Sequence, residues 1–125
     1  MIEKLLRFVI KAIKNRTYVI GVDNSIFYNL IDNIADRFRK EGFKIEVNVV
    51  EPKEDEVDNT KYDVLIITKY PNLVKLNSLI IITTIPHLWQ ITDKPVIITS
   101  VSQLGFSINK VLYALSISTK VMKNE

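Results

Sequence analysis

The chain contains no cysteine. Disulfides, thiolate-bound zinc, iron–sulfur clusters and thiol nucleophiles are therefore excluded. It has one histidine, His87. A zinc site needs three or four close ligands, so no metal centre and no resident cofactor is expected. Glycine occurs only at positions 21, 42 and 105, which leaves no flexible linker and no glycine-rich phosphate loop. No apolar run approaches the ~20 residues of a membrane-spanning helix. Lys4, Arg7, Lys11 and Lys14 interrupt the apolar residues of 1–16, so no signal peptide is expected. These absences together point to a cytoplasmic setting. Arginine is scarce, at 4 residues against 13 lysines and 19 isoleucines. That bias fits an AT-rich genome and hints at a hot habitat.

What is present fits one globular domain. The chain has 125 residues, 47% hydrophobic and 25% charged. The net charge of +3 is unevenly spread. Residues 1–16 are strongly basic, residues 46–63 strongly acidic, and residues 64–125 basic again. Such a layout favours oriented docking or self-association over broad nucleic-acid binding.

Ile2, Leu5, Leu6, Val9, Ala12 and Ile13 recur at helical spacing, with Lys4, Arg7, Lys11 and Lys14 opposite. The pattern predicts a basic amphipathic helix over about 2–15. Tyr18–Val22 reads as a first strand. Phe27, Leu30, Ile31, Ile34, Ala35 and Phe38 then form a helical stripe that Gly42 ends. Phe43–Val50 is a second strand and "EPKEDEVDNT" an acidic loop. "KYDVLIIT", "LIIITTI" and "PVIITS" are three more strands, whose continuous apolar cores imply burial on both faces. Pro71–Ser78 reads as a short helix, and about 102–121 as a long final one.

The expected fold is α/β: a Rossmann-like or flavodoxin-like, mostly parallel five-stranded sheet. It carries an extra N-terminal amphipathic helix and degenerate crossovers in the second half. Residues 1–125 form one domain, with 1–16 as the basic helix and 17–125 as the core. The connections at 51–60, 69–78 and 86–94 are short for parallel crossovers. Either they are degenerate loops, or one edge strand runs antiparallel. One sheet face is then thinly covered, for helix 2–15 or a second subunit to cover.

In such sheets ligands bind beyond the carboxyl ends of the strands. Those ends supply Asp23-Asn24-Ser25, Thr68-Lys69-Tyr70, Thr83-Thr84 leading to His87, and Thr99-Ser100 with Ser102 and Gln103. Asp23 suits a metal ligand, a general base or a ribose acceptor, and Asn24 or Ser25 suits a helix N-cap, with Asp23 favoured by the helix dipole. Asp23 and His87 are the only plausible acid–base pair, and no nucleophile-elbow motif supports them. A receiver domain would need an Asp after the third strand and a Lys after the fifth, where Thr68 and Thr99 stand. The phosphate loop of flavodoxins is not matched by "DNSIFYN", so FMN is not expected.

Asn24, Ser25, Thr68, Lys69, Thr84, Ser100, Ser102 and Gln103 are thus the candidate ligand-binding residues. The helix entry at Ser100–Gly105 suits an anion better than Asp23 does, because no carboxylate precedes it closely. Lys4, Arg7, Lys11 and Lys14 are candidate partner-binding residues. The leading expectation is a small non-catalytic binding or regulatory module. It acts through protein contacts as a homodimer and senses a small anionic or nucleotide ligand. Two alternatives stay open: a small enzyme using Asp23 and His87, and a nucleic-acid accessory protein using the basic helix.

Overall fold

The computed structural model describes residues 2–3, 16–52 and 61–124. Five strands form one sheet: β1 (Thr17–Val22), β2 (Lys44–Val49), β3 (Tyr62–Ile67), β4 (Ser78–Thr83) and β5 (Val96–Ile98). Their order is β2-β1-β3-β4-β5 and every neighbouring pair is parallel. This is the winding order of flavodoxin-like sheets, with the order reversing between β1 and β3. The open alternative of an antiparallel edge strand therefore falls away.

β3 is central, and all six of its residues are buried, as its unbroken apolar run implies. Helices α1 (Tyr28–Arg39) and α2 (Leu104–Asn124) pack on one face of the sheet. There Ile20, Val22, Val64, Ile66 and Ile82 meet Ile31, Ile34 and Phe38 of α1, and Leu104, Ile108 and Leu112 of α2. On the other face Leu65, Ile67 and Ile81 are covered by Val50, Leu73 and Leu88, with no helix among the described residues. Leu73 and Leu88 stand on 3-10 turns, Pro71–Lys75 and Leu88–Gln90, inside the β3–β4 and β4–β5 connections. The connections at 69–78 and 86–94 are thus degenerate turns, each plugging the sheet with one leucine.

α1 ends as its sequence predicts. Gly42 has φ +99°, the Gly42 N–H donates to the Arg39 carbonyl, and the Phe43 N–H donates to the Phe38 carbonyl. That pair of bonds satisfies the last carbonyls and needs a left-handed residue at position 42. Asp36 pairs with Lys40 at 3.6 Å, and the Arg39 Nε donates to the Ile45 carbonyl, tying the helix end to β2.

Among the described residues the helix-bearing face is thinly covered beside α2, where Leu79 is exposed and Ile80 and Ile97 are half-buried. The predicted helix over 2–15, with Lys4, Arg7, Lys11 and Lys14, lies outside the described residues except for Ile2 and Glu3, which are helical. Most of the acidic loop, residues 53–60, also lies outside them. Among the described residues no helix is long and apolar enough to cross a membrane.

Candidate functional site

β1 delivers Asp23 to the carboxyl rim beside β3, where the strand order reverses. Its N–H extends the ladder by donating to the Ile66 carbonyl at 3.1 Å. Its side chain is 3% exposed and accepts four hydrogen bonds. The Thr68 hydroxyl reaches Oδ1 at 2.8 Å. The successive N–H groups of Thr68, Lys69 and Tyr70 reach Oδ2 at 2.8, 2.7 and 2.9 Å. Consecutive backbone N–H groups converging on one point form an anion-binding nest. Here the protein's own carboxylate fills it. Asp23 therefore cements β1 to the loop after β3, with Oδ2 taking three donors and Oδ1 one.

Asn24 caps the turn that follows. Its Oδ1 accepts from the Ile26 N–H at 3.1 Å, opening a 3-10 turn, Ser25–Phe27, that runs into α1. Ser25 is exposed. Above these residues lies a cleft of about 350 Å³, walled by Asp23, Asn24 and Ser25, by Val49–Pro52 after β2, and by Lys69 and Tyr70. The Lys69 Nζ sits 5.4 Å from the centre of the Tyr70 ring. Among the described residues the cleft holds one cation, Lys69, one exposed carboxylate, Glu51, and the polar ends of Ser25, Asn24 and Tyr70.

The other rim candidates lie apart from this cleft. The Thr84 N–H donates to the Ile67 carbonyl at 3.2 Å, and the buried Thr83 hydroxyl donates to the same carbonyl at 2.6 Å. His87 is exposed and precedes the 3-10 turn at Leu88–Gln90, with its carbonyl accepting from Gln90. It does not line the cleft, and among the described residues it shares no hydrogen bond with Asp23. Ser100, Ser102 and Gln103 are exposed around a fourth 3-10 turn, Val101–Gln103, that precedes α2. The two serine hydroxyls bond each other at 3.1 Å, and the Gln103 N–H is used by the Ser100 carbonyl. Gly105 faces Leu30 and Ile34 of α1 rather than an open cavity.

Of the predicted residues, the fold gathers Asp23, Asn24, Ser25, Thr68 and Lys69, and leaves Thr84, His87, Ser100, Ser102 and Gln103 elsewhere. Glu51 joins the cleft because β2 is the neighbour of β1, which the sequence pattern did not reveal. A second buried acid, Asp63, was also overlooked. It accepts from the Val19 N–H at 2.8 Å and pairs with Arg16, whose guanidinium lies 5.0 Å from the Tyr18 ring centre. An acid inside "KYDVLIIT" was its one visible signal.

A different surface is apolar. On α2, Phe106, Tyr113 and Ile117 form an outward stripe, with Phe106 and Tyr113 each 58% exposed. Their spacing of seven and four residues places them on one side of the helix. Lys110, between them, lays its Nζ 4.7 Å from the Phe106 ring centre. Next to the stripe an apolar groove of about 430 Å³ runs between α2 and the β4–β5 edge. Its walls are Leu79, Ile80, Ile97, Val111, Ala114 and Leu115, and its polar members are Asp63, Lys110 and Ser118.

No protein-family model matches the chain, and neither a curated protein nor a solved structure matches it significantly.

Proposed function

We propose that the protein is a non-catalytic α/β interaction module that binds another protein chain, a second copy of itself, through the outer face of α2. The observation that carries this reading is the exposed stripe Phe106–Tyr113–Ile117. α2 buries one apolar face in its own core, through Leu104, Ile108, Val111 and Leu112, and shows a second one to solvent. Exposed aromatic side chains grouped beside an apolar groove are the surface that monomeric proteins avoid and interfaces use. A helix stripe pairing with its own copy makes a closed, two-fold contact, the commonest way for identical chains to associate.

The enzyme alternative is weaker by the same geometry. A general base must reach a substrate proton, and Asp23 is buried and already accepts four hydrogen bonds from residues 68–70. His87 is not within the cleft that Asp23 borders.

Light scattering after size exclusion, over a hundredfold range of concentration, tests the reading. The full chain is expected at twice the chain mass. Tyr113→Glu places an unpaired charge in the contact and should weaken association at least 30-fold, since a buried aromatic anchor contributes about 2 kcal/mol or more. The variant should keep the parent's circular dichroism. A full chain that runs as a monomer throughout, or a Tyr113→Glu variant that dimerises as the parent does, overturns it.

A second reading is supported by the rim cleft. A polar cavity at the point where strand order reverses, holding Lys69, Ser25 and Asn24, suits a small anionic or nucleotide ligand. The interaction module would then carry a ligand site remote from its apolar face.

A further inference from the structure

We infer that residues 1–15 seat their apolar stripe in the groove between α2 and the β4–β5 edge of the same chain. This is a separate claim from self-association through the outer face of α2. It rests on where the chain enters, what the groove lacks and what the segment offers.

The point of entry is fixed at Arg16. Its guanidinium pairs with Asp63, a buried carboxylate that itself lines the groove. The segment that precedes Arg16 therefore begins at the groove's edge. Ile13 is three residues from that anchor, so it reaches at most about 11 Å away even fully extended. A second copy's groove is hard to reach on so short a tether, which favours the chain's own.

The groove lacks a cover. α1 and α2 lie side by side on one face of the sheet, joined by an Arg37–Asn109 hydrogen bond at 3.0 Å. Beyond α2, the same face continues over β4 and β5, where Ile80 and Ile97 are only partly buried. A third helix is the element that completes such a layer. The α2 wall from Lys110 to Ser118 is about 12 Å long, shorter than the roughly 21 Å of a fourteen-residue helix. A helix anchored at Arg16 would overhang the wall at its far end.

The segment offers the matching surface. Leu5, Leu6, Val9, Ala12 and Ile13 share one side of a helix. Lys4, Arg7, Lys11 and Lys14 share the opposite side. Seating the apolar side leaves the basic side in water, at no desolvation cost.

The absence of cysteine makes a clean test possible in the full chain. Ala114 is exposed and lines the groove, so Ala114→Cys is tolerable there. Three double variants join it to Leu5→Cys, Val9→Cys or Ala12→Cys, and a fourth to Lys11→Cys on the basic side. Each is treated with a short bis-maleimide at low protein concentration. At least one stripe variant should close within a single chain ten times faster than the Lys11→Cys control. Equal rates, or products that run only as dimers, overturn the inference. The dimer result would place the segment on a second copy. Backbone hydrogen exchange of the full-length Val9→Asp variant is an independent readout. Amides of 96–98 and 110–118 should exchange at least tenfold faster than in the parent, with β1 and β3 unchanged. Unaltered exchange in the groove walls also overturns it.

Discussion

Asp23 and Thr68, distant in sequence, are joined by two hydrogen bonds of 2.8 Å, one to the Thr68 hydroxyl and one to its N–H. Lys69 and Tyr70 add one each, so the carboxylate organises a whole turn. Hydrogen bonds to a charged acceptor contribute about 1.5–3 kcal/mol each, and their loss is not additive because water can enter. Asp23→Ala is expected to cost about 2–4 kcal/mol in urea unfolding. Asp23→Asn keeps the shape but not the charge, and should cost about half as much. Amide exchange at Thr68, Lys69 and Tyr70 should rise in both variants before the rest of the sheet changes. A cost under about 0.5 kcal/mol for Asp23→Ala would remove the structural role and reopen a catalytic one.

Two glycines should respond in opposite directions. A Cβ on Gly21 would lie 2.8 Å from both the Tyr62 ring and the Val50 methyl, inside a filled cluster. Gly21→Ala is expected to cost about 1–3 kcal/mol through overpacking. A Cβ on Gly105 would meet Ile34 at 3.4 Å and Leu30 at 3.6 Å, which are close but workable contacts. Gly105 also lies within α2, where alanine is the better helix former by up to about 1 kcal/mol. Gly105→Ala should therefore be neutral or stabilising, and thermal melts of the pair should shift to opposite sides of the parent. A large loss at Gly105 would mean that its bare backbone serves a ligand after all.

The strands were legible because burial on both faces demands unbroken β-branched runs, as in β3. α1 was legible from its stripe and from Gly42, since both are local rules. The role of Asp23 was not. Local reasoning gives the cap to Asn24 or Ser25, and Asn24 does cap, but it assigns the acid before the helix to the dipole, whereas Asp23 bonds across the sheet. The serines before α2 suit a cap by composition, but a 3-10 turn intervenes and their hydroxyls bond each other. The groove beside α2 was invisible for a third reason. Which face of the sheet goes uncovered depends on Leu73 and Leu88 plugging the other one, and that is decided by strand order.

Arg16 and Asp63 form the other long-range polar link. Asp63 is 3% exposed, and its described partners are Arg16 and the Val19 N–H. Removing Arg16 leaves a buried carboxylate short of a counter-charge, the expensive way to break such a pair. Arg16 is partly open to water, which limits the loss. Arg16→Ala should cost about 1–2 kcal/mol, including its contact with the Tyr18 ring. Arg16→Lys should recover part of that, because a point charge replaces a planar fork. A double-mutant cycle with Asp63→Asn should give a coupling of about 1 kcal/mol. A coupling near zero would show that the link contributes nothing to stability.

The cleft at the rim makes a sharper demand on its ligand than its position suggests. The backbone N–H groups of residues 68–70 would be the natural anion donors, but Asp23 already occupies them. An anion in the cleft must rely on Lys69, with Ser25 and Asn24 as neutral donors. Glu51 lines the same cleft and opposes it. Lys69→Ala should therefore weaken binding of a nucleoside monophosphate about fivefold, while Glu51→Gln should strengthen it by up to about fivefold. That range follows from ~1 kcal/mol for a single exposed charge contact. Two-dimensional amide NMR titration reads both effects, with shifts centred on Ser25, Lys69 and Tyr70. Shifts centred on Ser100–Gly105 would instead favour the second helix entry. A Glu51→Gln variant that binds no better would mean that the ligand's charge is not what the cleft reads.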